Sequence, residues 1–340
     1  MKKVVTFGEI MLRLSANGFS RFAQSDSFDV VYGGSEANVA ISLANFNIPV
    51  EFVTKIPPNE LGQSAFNTLR KYGVKTNFIK KGGERLGIYF LEKGASQRPS
   101  KVVYDRKYSS ISMAEPEDFN WKEIFEDASW FHLSGITPAL SKTMSNISLE
   151  ACKQAKKMGL TVSCDLNYRS KLWSTREAYR VMSQIIEYVD VCIANEEDIE
   201  KVFGIVADDT NVTMGKLNYS SYENVARQFL EKYPCKYVAC TLRTSLSASD
   251  NKWTSVIYDG KEIYQAKEYS IHIVDRVGGG DSFSAGLIYG FMNNLSIQES
   301  LEFATAASCL KHTIEGDYNL CSVEEVENLV DGNESGRVQR

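Results

Sequence analysis

Short β-branched or aromatic runs alternate with stretches of helical period over most of the chain. Val4–Phe7, Val50–Val53, Trp130–Leu133, Leu160–Asp165, Val189–Asn195 and Tyr237–Thr241 read as strands buried on both faces. Between them, Glu36–Phe46, Glu60–Tyr72, Met144–Met158 and Thr175–Tyr188 carry helical patterns, the second stopped by Gly73. Ser296 with Glu299, and Ser322 with Glu325, have capping-box spacing at a helix start. The alternation predicts an α/β fold with a mostly parallel sheet covered by helices on both faces.

Two stretches break this pattern. Residues 10–32 and 86–108 read as alternating strands without helix, and Gly87–Glu92 with Lys101–Arg106 read as antiparallel hairpin strands. The expected organisation is an α/β core from 1–9, 33–85 and 109–330, a small β-sheet lid from 10–32 and 86–108, and a frayed tail over 331–340. Polar residues at 207–222 read as a surface insertion.

Composition narrows the function classes. The 340 residues hold 38 Lys plus Arg and 43 Asp plus Glu, a net charge of −5, so there is no overall basic footprint for nucleic acid. Mean hydropathy is −0.25 and no long apolar run exists, which argues against a membrane partner or span. Glu9 interrupts the apolar N-terminus before a signal core forms. Seven cysteines include no Cys-x-x-Cys pair, and Cys164, Cys192 and Cys240 lie in strand-like runs. Buried, reduced thiols in a cytoplasmic protein are expected.

The chemistry concentrates in Val274-Asp275-Arg276-Val277-Gly278-Gly279-Gly280-Asp281-Ser282-Phe283-Ser284-Ala285-Gly286. A strand over Ile271–Val274 is expected to run into three glycines, an acid and an apolar helix. Glycines expose backbone N–H groups and the helix start adds partial positive charge, which together make an anion cradle. A carboxylate at that mouth opposes a bound phosphate unless it takes a proton from an attacking hydroxyl. From these residues alone, Asp281 reads equally well as a base or as a helix N-cap.

The same stretch resembles the C-terminal signature of the ribokinase-like (PfkB) carbohydrate kinases, with Asp281 on the catalytic base. Gly33-Gly34-Ser35-Glu36-Ala37-Asn38-Val39-Ala40 resembles that family's N-terminal signature, and the likeness runs in order from Gly8-Glu9 to beyond Asp317. Within the family, His132–Leu140, Asp165-Leu166-Asn167-Tyr168-Arg169 with Leu172-Trp173-Ser174, and the pair Tyr104 and Arg106 are similar to 2-keto-3-deoxygluconate kinases. The resemblance implies a three-layer sandwich with a lid, ATP and Mg²⁺ as cofactors, and a homodimer formed through the lid. It puts Gly34, Ser35, Asn38, Tyr89, Tyr104, Arg106, Arg169 and Asp317 at the sugar. Asn167, Asn195, Thr241, Arg243, Gly278 and Gly280 fall at the nucleotide, and Asp198 at the metal through water. Gly278, Gly279 and Gly280 join Asp281 in catalysis. The bidentate geometry of a guanidinium suits Arg106 and Arg169 to an acid sugar's carboxylate.

The pattern is broken in three places. Pro57-Pro58-Asn59-Glu60-Leu61-Gly62 lacks the usual first Gly and the Asp. Asn195-Glu196-Glu197-Asp198 ends on Asp rather than Glu. Thr241-Leu242-Arg243-Thr244-Ser245-Leu246 carries Arg243 and Leu246 in place of two glycines. The expected function is phosphorylation of 2-keto-3-deoxygluconate on its terminal hydroxyl to give the 6-phosphate. The alternatives are a neutral-sugar kinase of fructokinase or ribokinase type, and a catalytically weak sugar-binding regulator on the same fold.

Overall fold

The computed structural model describes residues 2–195, 197–206 and 219–333. Most of the stretch read as a surface insertion, residues 207–218, lies outside them, as do Met1, Glu196 and residues 334–340 of the tail. Fourteen strands appear among the described residues. In chain order they are β1 Lys3–Phe7, β2 Met11–Ala16, β3 Phe28–Gly33, β4 Val50–Ile56, β5 Ile79–Lys81, β6 Gly87–Glu92 and β7 Lys101–Asp105, followed by β8 Ala128–Ser134, β9 Thr161–Asp165, β10 Val191–Asn195, β11 Tyr237–Ser245, β12 Asp250–Tyr258, β13 Ile263–Gln265 and β14 Tyr269–His272.

Ten of them form one sheet in the order β13-β12-β11-β10-β9-β8-β1-β4-β5, with β14 also on β12. Pairing is parallel from β5 to β11 and antiparallel around β12. Helices bury both faces, and the register sorts neighbours to opposite sides. Val4, Val50 and Phe52 pack with Phe46, Phe283 and Leu301 on one side. Val5, Phe7 and Val53 pack with Ile147, Cys152 and Met182 on the other. Both faces being covered explains why these strands read as continuous apolar runs.

The other four strands make a separate sheet in the order β3-β2-β6-β7, with β2 and β6 parallel and the flanking pairs antiparallel. Tyr89 stands opposite Tyr104 in its β6–β7 hairpin.

Local chemistry accounts for the helix boundaries. The helix Glu60–Lys71 ends before Gly73, whose φ is +80°. Asn59 caps its start, accepting from the Gly62 amide at 3.0 Å, so the departure at Pro57–Gly62 ends strand β4 and starts this helix. The boxes at Ser296/Glu299 and Ser322/Glu325 both close reciprocally.

The structure also corrects several boundaries. The strand expected over Ile271–Val274 ends at His272, because Val274 and Asp275 turn their amides to the His312 carbonyl. The helix expected to Tyr188 ends at Ile185 and tightens into a 3₁₀ turn. Residues 10–32 contain a 3₁₀ turn at Phe22–Gln24, where only strand was expected. All seven cysteines are buried, and none is bridged to another in a disulfide. No helix among the described residues is long and apolar enough to cross a membrane.

Candidate active site

Asp165 ends β9 and Asn195 ends β10, so the carboxyl ends of the parallel strands open into a cleft of about 970 Å³. That is where ligands bind in open α/β sheets. Every residue singled out from the sequence lines this one cleft: Gly34, Ser35, Asn38, Tyr89, Tyr104, Arg106, Asn167, Arg169, Asn195, Asp198, Thr241, Arg243, Gly278, Gly279, Gly280, Asp281 and Asp317.

At its centre, the helix Gly279–Met292 begins from Gly278, which sits at φ +85°. A Cβ on Gly278 would lie 1.9 Å from the Asp317 carbonyl oxygen, so only glycine makes this turn. The first-turn amides of Gly280 and Asp281 have no acceptor ahead of them in the helix and form an anion cradle.

Asp281 is buried beside that cradle. Ser35 Oγ donates to its Oδ1 at 2.8 Å and Asn38 Nδ2 to its Oδ2 at 2.7 Å. Ser35 and Asn38 are three residues apart on one helix and so share a face. Asn38 Oδ1 also accepts from the Gly34 amide at 3.3 Å, and Ser35 Oγ from Asn167 Nδ2 at 3.5 Å. Burial pushes the Asp281 carboxyl above its ordinary range, while the two donors pull it down. The arrangement can hold a proton acceptor next to an anion cradle.

Glu36, on another face of the same helix, is fully buried. Its Oε1 accepts from the Ser134 amide, the Ser134 hydroxyl and the Thr137 hydroxyl, each at 2.7 Å. Burial raises its carboxyl. The N-terminal signature thus grips both the His132–Leu140 stretch and Asp281.

One end of the cleft lies beneath the small sheet. Tyr104 is partly exposed, 6.0 Å from the Tyr89 ring, with the Arg106 guanidinium 5.5 Å from its own ring centre. Arg169 is exposed, its Nη1 donating to the Tyr168 carbonyl at 3.3 Å. Tyr89 and Asp317 are tied to each other by a hydrogen bond from the phenol.

Arg13, in the middle of β2, pairs with both Asp317 and Asp275 and donates to Ser15 Oγ at 2.6 Å. Asp275 accepts from the Val277 amide at 3.1 Å, just before the glycines. This buried network was missed from the sequence, because Arg13 occupies an ordinary polar slot in an alternating strand. Its carboxylates lie 262 and 304 residues away.

At the other end, Asn195 Oδ1 accepts from the Glu197 and Asp198 amides, and Asp198 accepts from the Tyr168 and Asn195 amides. Asp165 is buried there too. Burial, then the Asp198 and Asp281 carboxylates, push its carboxyl far up. No cluster of three metal-ligating side chains exists among the described residues. Mg²⁺ held chiefly by phosphates and water needs none.

Where the family pattern carries glycines, β11 instead runs on to Ser245 and turns back into β12, leaving Leu246 exposed. Arg243 stands exposed on that strand, near enough to Arg276 to hold the latter's guanidinium below its usual range, after burial. Arg276 donates to the Ala248 carbonyl at 3.0 Å.

Residues 1–242 and 243–324 match the pfkB family carbohydrate kinase. The crystal structure of 2-dehydro-3-deoxygluconokinase from Thermotoga maritima is 54% identical, with a TM-score of 0.94, covering 98% of this chain and all of that one. The 2-dehydro-3-deoxygalactonokinase of Haloferax volcanii is 29% identical over 98% of both chains. The 2-dehydro-3-deoxygluconokinase of Bacillus subtilis is 25% identical over 92% of this chain and 90% of its own.

Proposed function

The chain belongs to the pfkB family of carbohydrate kinases, and from that footing we propose that it transfers the γ-phosphoryl group of ATP to the terminal hydroxyl of 2-keto-3-deoxygluconate. The observation that carries this reading is one cleft holding an anion cradle with a buried carboxylate at its centre and two arginines with two tyrosines at one end. The 54% identity to the Thermotoga maritima kinase supports the same substrate.

In this reading the sugar lies under the small sheet, its carboxylate toward Arg106 and Arg169 and its body against Tyr89, Tyr104 and Gly34. Asp281 accepts the proton of the terminal hydroxyl as the oxygen attacks phosphorus. Ser35 and Asn38 hold that carboxylate in place, and the amides of Gly278–Asp281 meet the charge on the moving phosphoryl group. Asp317, held by Arg13 and Tyr89, borders the sugar end. Arg243 faces the nucleotide phosphates, with Asn167, Asn195 and Thr241 along the nucleotide's path. Asp198, through water, is the residue for Mg²⁺, which when bound neutralises phosphate charge. Closure of the small sheet excludes water from the transfer.

The Haloferax volcanii relative favours a second substrate reading, the C4 epimer 2-keto-3-deoxygalactonate. Phosphorus NMR of the product tests the reaction. A phosphomonoester signal split by two protons supports transfer to the primary hydroxyl, and splitting by one proton contradicts it.

The outer face of the small sheet leaves Phe28, Val30 and Val103 exposed, Val30 at 59%. A second copy of the chain is the proposed occupant, giving a homodimer through this sheet. Sedimentation at micromolar concentration tests it, a monomer there being the contrary result.

A further inference from the structure

Glu9 lies in the turn between β1 and β2, almost wholly buried, and its carboxylate pairs with Nη2 of Arg106. The two side chains are 2% and 9% exposed, so solvent does little to weaken the pair. The chain makes room for it: a Cβ on Gly87 would lie 2.7 Å from Glu9 Oε1 and 3.1 Å from Arg106 Cβ. A larger residue at the start of β6 would crowd the carboxylate on its Oε1 side.

The pairing is single-pronged. Glu9 Oε1 and Arg106 Nε are both buried without a partner among the described residues. Arg106 Nη1 makes no hydrogen bond there either, while the side chain lines the cleft. Burying a carboxylate with half its acceptor capacity unused is costly. What that carboxylate does visibly is fix the direction of one guanidinium. Arg85, also within reach of Glu9's charge, is spent on exposed Asp105.

We propose that Glu9 is a positioning residue for acid-sugar selectivity: it anchors Arg106 by one nitrogen so that the other is presented, already ordered, to the substrate's carboxylate. Arg106 follows the last residue of an edge strand and carries a long flexible side chain, so without an anchor its ordering is charged against binding. This rests on the assignment of Arg106 as a carboxylate partner, and its test separates the two.

The test compares kcat and KM of the wild type, Glu9→Gln, Arg106→Ala and the double variant, on 2-keto-3-deoxygluconate and on its uncharged C1 amide. Glu9→Gln is expected to raise KM for the acid about tenfold, the worth of one ordered side chain, with kcat and the amide little changed. The double variant is expected to be no worse than Arg106→Ala alone, because the anchor then has nothing to hold. Should Glu9→Gln not fold, Glu9→Asp withdraws the carboxylate by one methylene and is expected to show the same selective rise. A selective rise in Arg106→Ala without one in the Glu9 variants overturns the inference alone. No selective rise in Arg106→Ala overturns the arginine assignment and this inference with it. Equal effects of the Glu9 variants on acid and amide reduce Glu9 to a structural residue and overturn the proposal.

Discussion

Asn38 donates to Asp281 at 2.7 Å across 243 residues of sequence, joining the first and last signatures of the chain at one carboxylate. Burial raises the Asp281 carboxyl and this bond opposes the rise. A base is lost as pH falls through its pKa, so activity declines on the acid side. Asn38→Ala removes a donor that favours the ionised form. The acid limb of the kcat/KM profile is expected to move to higher pH, and an unmoved limb would mean that the proton acceptor lies elsewhere.

Asp281 itself is tested by Asp281→Asn, which keeps the shape and removes the basicity. A positioned base contributes about 10²–10⁴ in rate, so kcat is expected to fall at least 10²-fold with the fold intact by circular dichroism. Near-normal turnover would take Asp281 out of the chemistry.

Arg13 joins the small sheet to the segment that leads into the glycines. Arg13→Met leaves Asp275 and Asp317 buried without their cation, and removing one partner of a buried pair costs about 3–5 kcal/mol. Urea unfolding is expected to show a loss of that order. A loss near zero would mean that the carboxylates find other partners.

His132 and His312 are both buried, and desolvation pushes them down to about 3 and about 4 from the ordinary 6.5. Between those values and 6.5 the unfolded chain binds protons that the folded chain does not. Stability is therefore lost as pH falls through that window, by up to about 1.4 kcal/mol per pH unit for each histidine. Urea unfolding at pH 6 and pH 5 checks the slope, and His312→Gln is expected to flatten it. Equal slopes for the two proteins would show that His312 does not titrate on unfolding.

What the sequence made legible was what local chemistry encodes. The glycine run with its acid, the helix stops and boxes, and the switch from long apolar strands to alternating ones all rest on near neighbours in the chain. The cleft gathers Asn195, Ser35, Asn38 and Gly278–Asp281 because their motifs end parallel strands or begin helices at one edge of the large sheet, while Tyr89, Tyr104 and Arg106 come to it from the small sheet. Less legible were residues whose meaning depends on a distant partner. Arg13 reads as a solvent-facing position in Met11–Ala16 until the small sheet is folded onto Asp275 and Asp317. Glu9 reads as an interruption in an apolar terminus until Arg106 arrives from 97 residues away. Ser35 and Asn38 were legible as site residues, but their bonds to Asp281 appear only in three dimensions.

The most direct test of the central claim is MgATP-dependent ADP release measured on 2-keto-3-deoxygluconate, 2-keto-3-deoxygalactonate, gluconate, fructose and ribose. Turnover confined to the keto-deoxy acids is the expected result. Turnover on fructose or ribose instead would keep the fold and Asp281 but contradict the assignment of Arg106 and Arg169 to a substrate carboxylate. Silence across the set would contradict the kinase reading itself and favour a sugar-binding role, with the altered Thr241–Leu246 segment as its cause.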